Sequence, residues 1–481
     1  MKKKILIVFL VALNIFQLKA QNEDDALRYS FLMPMGTSRV NSLGGAFGAL
    51  GADLSLTSQN PAGLALFTRN SEFTITPSFV YSNTEINNCQ ACNNFSYGMG
   101  INNIGVVLTF SSEDKQEGWV NTNLGITYNR LVDFRNDVFS SVINDKSSLA
   151  DYFVSMANGT VPSYLYDFEE GLAFQTYLID TVTGTQGYEY NNVYNGVYGE
   201  KQDFLLTSRG NVSELSISFS GNYEHKIYIG ASFNIQSADY SHKKVIKEED
   251  INDSVPNFNS FEFIEYLNTE GDGYNLKLGM IFKVNDWFRI GMAVHTPTFY
   301  KLTDEYNTLM YTNFDSANYM ASSPENKYNY LLITPARYIA STGFILARQA
   351  LFSLDVEAVN YTSAKLKSSD YNFINENNNI KDLYTWGINL KSGMEYNYGI
   401  FAFRGGIGYY SSPYKKLKDK NGISYNAGIR IRGDMMYVDL NYSFINKKYS
   451  YYLYNLENRP VDAINVNQTL NYFTATLGVR F

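Results

Sequence analysis

The sequence contains little cysteine, proline and charge, and after its first twenty residues it has no long apolar run. Among 481 residues there are 2 Cys and 10 Pro, and 18% of residues are charged. No later run approaches the ~18 to 20 apolar residues that a membrane-spanning helix needs. The formal net charge of -8 argues against nucleic acid as a partner, because such binding requires Lys and Arg to neutralise phosphates.

The two cysteines, Cys89 and Cys92, are too few to staple a chain of this size. In an oxidising compartment they could form a local disulfide. Their Cys-x-x-Cys spacing could instead indicate a metal or redox site. The chain has three His and no further Cys, so the metal site is the less favoured alternative and we expect no cofactor.

The first twenty residues have the pattern of a cleaved signal peptide. Three lysines at positions 2–4 precede an apolar run from Ile5 to Phe16, and cleavage is expected after Ala20. Leu18 departs from the small residue preferred three positions before the cut. No Cys follows the run, which argues against a lipid anchor. The segment predicts export from the cytoplasm.

Aromatic residues are abundant, with 40 Tyr and 32 Phe. Transmembrane β-barrels use such residues as belts at both membrane interfaces. From residue 71 onward the dominant pattern is alternation with period two, which predicts strands with one apolar and one polar face. In the last strand, Phe473, Leu477 and Phe481 fall on one face, whereas Thr474 and Thr476 fall on the other.

The connections between the predicted strands alternate between short and long. Residues 285–286, 347–349 and 433–434 are short turns, whereas residues 132–209, 241–271 and 304–327 are long. Outer-membrane barrels have short periplasmic turns, long outer loops and an even strand count. The pattern predicts an all-β transmembrane antiparallel barrel of about 14 strands over residues 71–481, with both ends facing the periplasm.

If the apolar face of each strand meets lipid, the other face lines the interior. Arg289, His295 and Arg404 fall on that interior face. Each is a candidate lumen residue, and each could equally form a structural ion pair or belong to a solvated wall.

The longest connection, residues 132–209, carries apolar residues at helical spacing and is expected to be partly helical. Leu165, Phe168 and Leu172 are candidate ligand contacts in this loop. The alternative is that the loop folds onto itself over the barrel mouth.

Residues 21–70 differ in composition from the rest of the chain and are rich in Gly and Ala. The run ends in Asn60, Pro61 and Ala62, just before the first strand. No Lys with Ser or Thr follows the glycines, so this is not a phosphate loop. Small residues allow the close backbone packing that a plug inside a barrel requires.

These features together resemble the outer-membrane fatty acid and hydrocarbon transporters of the FadL and TodX type. The resemblance implies that residues 21–70 form a hatch inside the barrel, with Asn60, Pro61 and Ala62 within it. It implies uptake of a hydrophobic small molecule, such as a long-chain fatty acid or hydrocarbon, and lateral release through a gap in the wall. A gap requires a locally broken ladder, for which the candidates are Pro77, Pro297, Pro335 and Gly125.

The resemblance also implies the surroundings of the protein. We expect the Gram-negative outer membrane as its location, with membrane lipids and lipopolysaccharide as neighbours. Terminal Phe481 resembles the signal read by the barrel assembly machinery, although it could simply be a lipid-facing ring. A general porin or structural protein is the alternative function. A hydrolase is disfavoured, because the sequence contains no Gly-x-Ser-x-Gly elbow or His-Glu-x-x-His motif, and we expect no catalytic residue.

Overall fold

The computed structural model describes residues 23–33, 35–68, 70–86, 89, 92–112, 118–185, 188–347, 349–456 and 459–481. The predicted signal peptide, residues 1–20, lies outside these ranges. Within them, no helix has both the length and the apolar character needed to cross a membrane.

The wall of the molecule is a closed antiparallel β-barrel. Strands pair with their neighbours in chain order, and the last strand pairs with the first. The described part of the chain forms fourteen strands: β1 (Glu72–Ile86), β2 (Asn93–Ser111), β3 (Trp119–Asp133 with Asn136–Asn144), β4 (Glu200–Tyr223), β5 (Ile227–Glu249), β6 (Phe258–Lys283), β7 (Phe288–His295 with Phe299–Phe314), β8 (Asn318–Ser322, Asn326–Ile333 and Arg337–Leu346), β9 (Ala350–Asn360 with Lys365–Lys367), β10 (Trp386–Tyr398), β11 (Phe401–Tyr410), β12 (Gly422–Arg432), β13 (Met436–Tyr451) and β14 (Ile464–Arg480). The predicted fold is confirmed.

Alternation assigns the two faces of the wall as expected. On β14 the side chains of Phe473 and Leu477 are exposed outward, whereas Tyr472, Thr474 and Thr476 are buried inward. An outward apolar face next to a polar interior is the arrangement that lipid outside and a filled lumen require.

On β6 the outward apolar band begins at Tyr274 and ends at Phe282. These nine residues span roughly 30 Å at ~3.3 Å per residue, close to the ~25 Å apolar band of such barrels. Beyond Tyr274 the outward residues turn polar, with exposed Asp272 and Glu270. The membrane-spanning part of β6 is therefore only the segment from Tyr274 to Phe282, whereas the whole strand begins at Phe258.

Strands nevertheless continue well past the apolar band, which corrects the predicted loop lengths. Residues 241–271, predicted as a loop, belong largely to β5 and β6, which are joined by residues 250–257. Residues 304–327 belong largely to β7 and β8, joined by residues 315–317. Beyond the apolar band, inward aromatic rings such as Phe261 and Phe263 are buried in an apolar cluster, so the strands persist without an apolar outer face.

Short helices lie inside the barrel or in the connections between its strands. Those of the hatch are α1 (Glu23–Arg28), α2 (Ser38–Ser42) and the 3₁₀ helices Leu54–Ser58 and Pro61–Leu66. The connection between β3 and β4 contains α3 (Leu149–Ala157), the 3₁₀ helix Pro162–Tyr164, α4 (Glu170–Gln175) and a small hairpin of Ile179–Thr181 with Tyr190–Asn192; the 3₁₀ helix Tyr361–Ser363 interrupts β9, and α5 (Ile374–Leu383) precedes β10. We call residues 145–199 the cap.

Candidate functional site

The hatch lies inside the barrel, where Asn60 and Ala62 are buried at the start of its last 3₁₀ helix. Asn60 caps the 3₁₀ helix Pro61–Leu66 by accepting a hydrogen bond from the Ala62 N–H at 3.2 Å. Pro61 occupies the first helical position, where a missing N–H costs nothing. The Asn60 amide also donates to the Gly48 carbonyl at 2.7 Å, so the run ties two turns of the hatch together.

The wall opposite this run is lined by glycine, which allows the two backbones to meet. A Cβ added at Gly279 would lie 1.9 Å from Asn60 Oδ1, and one added at Gly230 would lie 2.5 Å from the Ala62 nitrogen. Neither wall position can carry a side chain without moving the hatch.

Polar wall groups hold the backbone of the hatch on the opposite side. The Asp355 carboxylate accepts hydrogen bonds from the N–H groups of Phe47 and Gly48 at 3.0 and 2.9 Å. It also accepts one from the Gln59 side chain at 2.6 Å. Asp355 thus anchors two separate parts of the hatch to β9.

The predicted lumen residues face the interior. Arg289 donates to the Leu50 carbonyl at 3.0 Å, and His295 Nε2 donates to the Gln59 carbonyl at 2.8 Å. Both side chains therefore contact the hatch, a role that sequence reasoning did not assign to them.

Arg404, the third predicted lumen residue, belongs to a buried ion network. It pairs with Glu395 at 2.6 Å and with Asp439 at 2.5 Å. Glu395 in turn pairs with Arg39 of α2 at 3.1 Å, and Asp439 pairs with Arg430 at 2.8 Å. Removing one partner of such a network leaves an uncompensated buried charge, so Arg39 fixes α2 in place.

A cavity of about 80 Å³ lies between the hatch and the wall. Its lining mixes methionine and leucine with polar groups: Met33, Met35 and Leu131 face Asn102, Gln236 and Asn275. This volume is smaller than the roughly 150 Å³ of an apolar cavity that holds benzene, so the hatch fills most of the lumen and has to shift before a solute can enter.

The barrel ladder is broken beside this cavity, between β2 and β3. Their pairing runs from Ser111↔Asn121 to Asn103↔Asn129 and stops there. Residues 93–101 pair with β1 alone, and residues 130–144 of β3 pair with β4. We call this unpaired seam the window.

A proline and a bulge explain why the strands part. Pro77 has no N–H to donate, and the β1–β2 register shifts between Thr76 and Pro77 so that Asn102 has no partner. An extra residue of this kind bends its strand. The consecutive inward residues Asn102 and Asn103 break the alternation in the sequence, a signal that would have located the bulge.

The hatch and two arginines occupy the window. Met35 forms an antiparallel bridge to Arg130, with its N–H donating to the Arg130 carbonyl at 3.1 Å. The guanidinium of Arg130 lies where a Cβ of Gly100 would be, and that of Arg135 lies over Gly98 in the same way. Side chains, not a β ladder, therefore separate the cavity from the outer surface here.

The other candidates for a wall gap are less open. Pro297 and Pro335 lie in interruptions of β7 and β8 at one height, but the Thr334 N–H donates to the Thr298 carbonyl at 3.0 Å and reconnects the strands. Gly125 lies in the paired part of β3, and a Cβ there would meet Leu64 of the hatch at 2.6 Å.

The predicted loop residues are packed inside the cap. Leu165, Phe168 and Leu172 are buried, and Leu172 is fully enclosed. The Phe168 carbonyl accepts a hydrogen bond from Thr308 of β7 at 2.7 Å. This placement favours the packing alternative over direct ligand contact.

Two buried carboxyls hold the cap from below, well above the membrane-spanning segment. Glu248 accepts from the Leu149 N–H at 2.8 Å at the start of α3. Burial raises the pKa of Glu248 to about 7. Burial, together with the nearby Glu248, raises the pKa of Glu200 to about 8.

Cys89 and Cys92 form a disulfide at the top of β1 and β2. The Ser141 N–H of β3 donates to Cys92 Sγ at 3.3 Å. The disulfide decides between the two alternatives that the sequence left open, and it places a contact between β2 and β3 above the window.

Terminal Phe481 lies at the opposite end of the barrel and is exposed. Its N–H and carbonyl both bond to Ser71, each at 3.0 Å. The exposed ring can face lipid. Recognition of Phe481 by the barrel assembly machinery stays a prediction.

Solved structures with the same architecture share little sequence with this chain. No protein-family model matches the sequence, and no curated protein does. The toluene transporter TodX of Pseudomonas putida aligns over 92% of this chain and 98% of its own, with TM-score 0.55 and 12% identity. A FadL homologue of Pseudomonas aeruginosa aligns over 94% and 99%, with TM-score 0.57 and 11% identity. The toluene transporter TbuX of Ralstonia pickettii aligns over 92% and 98%, with TM-score 0.51 and 13% identity. The chain therefore has the fold of the FadL and TodX transporters, as the sequence resemblance predicts.

Proposed function

We propose that this protein takes up hydrophobic small molecules across the outer membrane and releases them sideways through the window between β2 and β3. Proteins with this fold support transport of such compounds, since they include two toluene transporters and a monoaromatic hydrocarbon channel.

The window is the observation that supports the lateral route. Asn102 and Leu131 line the interior cavity and belong to the two strands that part. Exposed Tyr97 and Met99 lie on the outer face of the same stretch of β2. The interior beside the hatch is thus separated from the apolar outer surface by Met35 and two arginine side chains.

Lateral release is also the favourable route on physical grounds. An apolar molecule that left along the barrel axis would have to be rehydrated, whereas lipid removes its surface from water. The hatch contacts the wall all around the lumen through Ser38, Asp355 and Asn121, which argues against a general porin.

Met35 occupies the window, so a solute can leave only if this part of the hatch moves. Met35 leads directly into α2, which must therefore move with it. Ser38 Oγ of α2 lies 3.0 Å from Thr474 Oγ1 of β14. Changing both residues to cysteine, in a background where Cys89 and Cys92 are serine, would tie the hatch to the wall. We expect oxidised cells to lose most uptake of radiolabelled oleate and toluene and to regain it with a reductant.

A matched pair provides the control. Thr303 Oγ1 donates to Asn329 Oδ1 at 2.7 Å across the neighbouring wall strands β7 and β8. A disulfide at these positions should leave uptake unchanged, since this seam stays closed. Undiminished uptake with the hatch tethered would contradict the proposal.

A further inference from the structure

The side chains that occupy the window carry an excess of positive charge. Arg130, Arg135 and Lys447 lie near a single carboxylate, Asp133. The Arg135 guanidinium itself donates to the Tyr97 carbonyl at 2.7 Å. Arg130 pairs with Asp133 at 3.4 Å, and the Arg135 backbone N–H donates to the same carboxylate at 2.9 Å. Lys447 forms no ion pair with any residue that the structure describes, although it lies within electrostatic range of Asp133.

Neighbouring strands bring these groups to one place. Lys447 of β13 is the register partner of Gln468 of β14, and the Gln468 amide donates to the Arg135 carbonyl at 3.4 Å. The cluster therefore spans the inner rim of the window, with two more positive than negative charges.

Hydrogen-bond donors in the cluster also lack acceptors. The Nε atoms of Arg130 and Arg135 are buried and have no hydrogen-bond partner among the described residues. Asn102, fully buried and lining the cavity, has neither its amide nitrogen nor its carbonyl oxygen paired. Buried donors without acceptors are costly in a folded protein, and those of Arg130, Arg135 and Asn102 lie where the wall is open.

We infer that the window contains a binding subsite for the anionic headgroup of an amphiphile, a carboxylate or a phosphate, held by Arg130, Arg135, Lys447 and Asn102. An oxyanion supplies the acceptors that these donors lack and balances the charge. The apolar tail of the molecule lies along exposed Met99 and Tyr97 on the outside of the barrel.

This inference rests on the proposed function and specifies the chemistry of the molecule at the exit. A subsite of this kind holds the head at the rim while the tail passes into lipid. The anion has two sources, the carboxylate of a transported solute or the phosphate of an outer-leaflet lipid.

The test compares two probes of equal chain length, oleate and oleyl alcohol, on the full mature chain in detergent. Native protein should bind oleate at least tenfold more tightly than the alcohol by titration calorimetry. The double variant Arg135→Gln/Lys447→Gln should lose about tenfold in oleate affinity, the loss expected for a charged hydrogen bond, with alcohol affinity unchanged. Arg135→Lys should restore part of the preference.

Lys448→Gln is the matched control, because Lys448 is the next residue of β13 and is exposed. It should leave both affinities unchanged, and heat-dependent gel mobility verifies that every variant forms a barrel. A second arm uses nanodiscs with and without phosphorylated lipid A and detects retained lipid by native mass spectrometry. Retention by native protein alone identifies phosphate as the source, and oleate preference without lipid retention identifies the solute.

Equal binding of oleate and the alcohol, with no retained lipid A, overturns the subsite. If the hatch tether still abolishes uptake of both probes, the proposed function is retained without the subsite. Uptake insensitive to the tether contradicts the proposed function, and the binding comparison on purified protein still decides the subsite.

Discussion

Two seams of the barrel wall contrast in how they are held. The seam between β14 and β1 closes the barrel and is paired along nearly the whole strand, from Glu72↔Arg480 to Ile86↔Val466. The window loses its ladder above Asn103↔Asn129. β1 takes part in both features. It pairs with β14 to close the barrel, and its Pro77 lies opposite the β2 bulge at which β2 and β3 separate. Closure depends on continuous backbone pairing, whereas opening requires only one unpaired residue.

Removing the bulge should abolish the difference between the seams and have the largest effect. Deleting Asn102 together with Pro77→Val restores unbroken pairing of β1 with β2 and lets β2 approach β3. We expect uptake of oleate and toluene to fall at least tenfold while the barrel gains thermal stability, as measured by gel mobility after heating. Pro335→Val is the control, since the seam at that proline is already bridged, and it should retain uptake. Normal uptake through the repaired seam would exclude the window as the exit.

Crowding the hatch should have an intermediate effect that leaves both seams paired as before. Gly279→Ala places a methyl group against Asn60 Oδ1, which costs about 1–3 kcal/mol as overpacking and should loosen the hatch. We expect channel openings in planar bilayers that the native protein lacks. Gly405→Ala is the control, because a Cβ there meets only a carbonyl at 3.9 Å. Equal conductance of the two variants would show that the hatch does not depend on its glycine-lined wall.

The smallest expected effect concerns the cap, which follows β3 in the chain. The cap is therefore connected to one of the two strands that border the window. The raised pKa values of Glu200 and Glu248 mean that the folded cap binds protons more tightly than the unfolded chain. Their contribution to stability is present at low pH and is lost as pH rises through about 7 to 8. Amide protection of Leu149–Ala157, corrected for intrinsic exchange, should fall about tenfold between pH 6 and 9, the equivalent of one pKa unit.

Glu248→Gln should flatten this pH dependence, whereas Glu249→Gln, which replaces the neighbouring carboxylate paired with Lys247, should preserve it. Protection that does not change with pH in the native protein would remove the buried carboxyls as the cause.

Much of the wall could be predicted because its cause is local. Alternation along β14 places Phe473 toward lipid and Thr474 toward the lumen whatever the partner strand is. The interior placement of Arg289, His295 and Arg404 follows from the same rule. The strand ends could not be located in this way, because outside the membrane the inner faces of β5 to β8 are covered by residues distant in sequence.

The window shows where local reasoning ends. Pro77, Pro297, Pro335 and Gly125 carry equivalent local signals, yet only Pro77 lies opposite a bulge that separates two strands. The roles of Arg130 and Arg135 likewise depend on glycines in a neighbouring strand.

By itself, then, the sequence determined a barrel, its two faces and the small residues that let a hatch fit inside it, because period two and backbone size are properties of single segments. The tertiary structure decided which seam opens, that Leu165, Phe168 and Leu172 pack within a cap, and that three cations lie near one carboxylate at the wall. Each of these depends on register between segments far apart in the chain, and register is set only when the barrel closes.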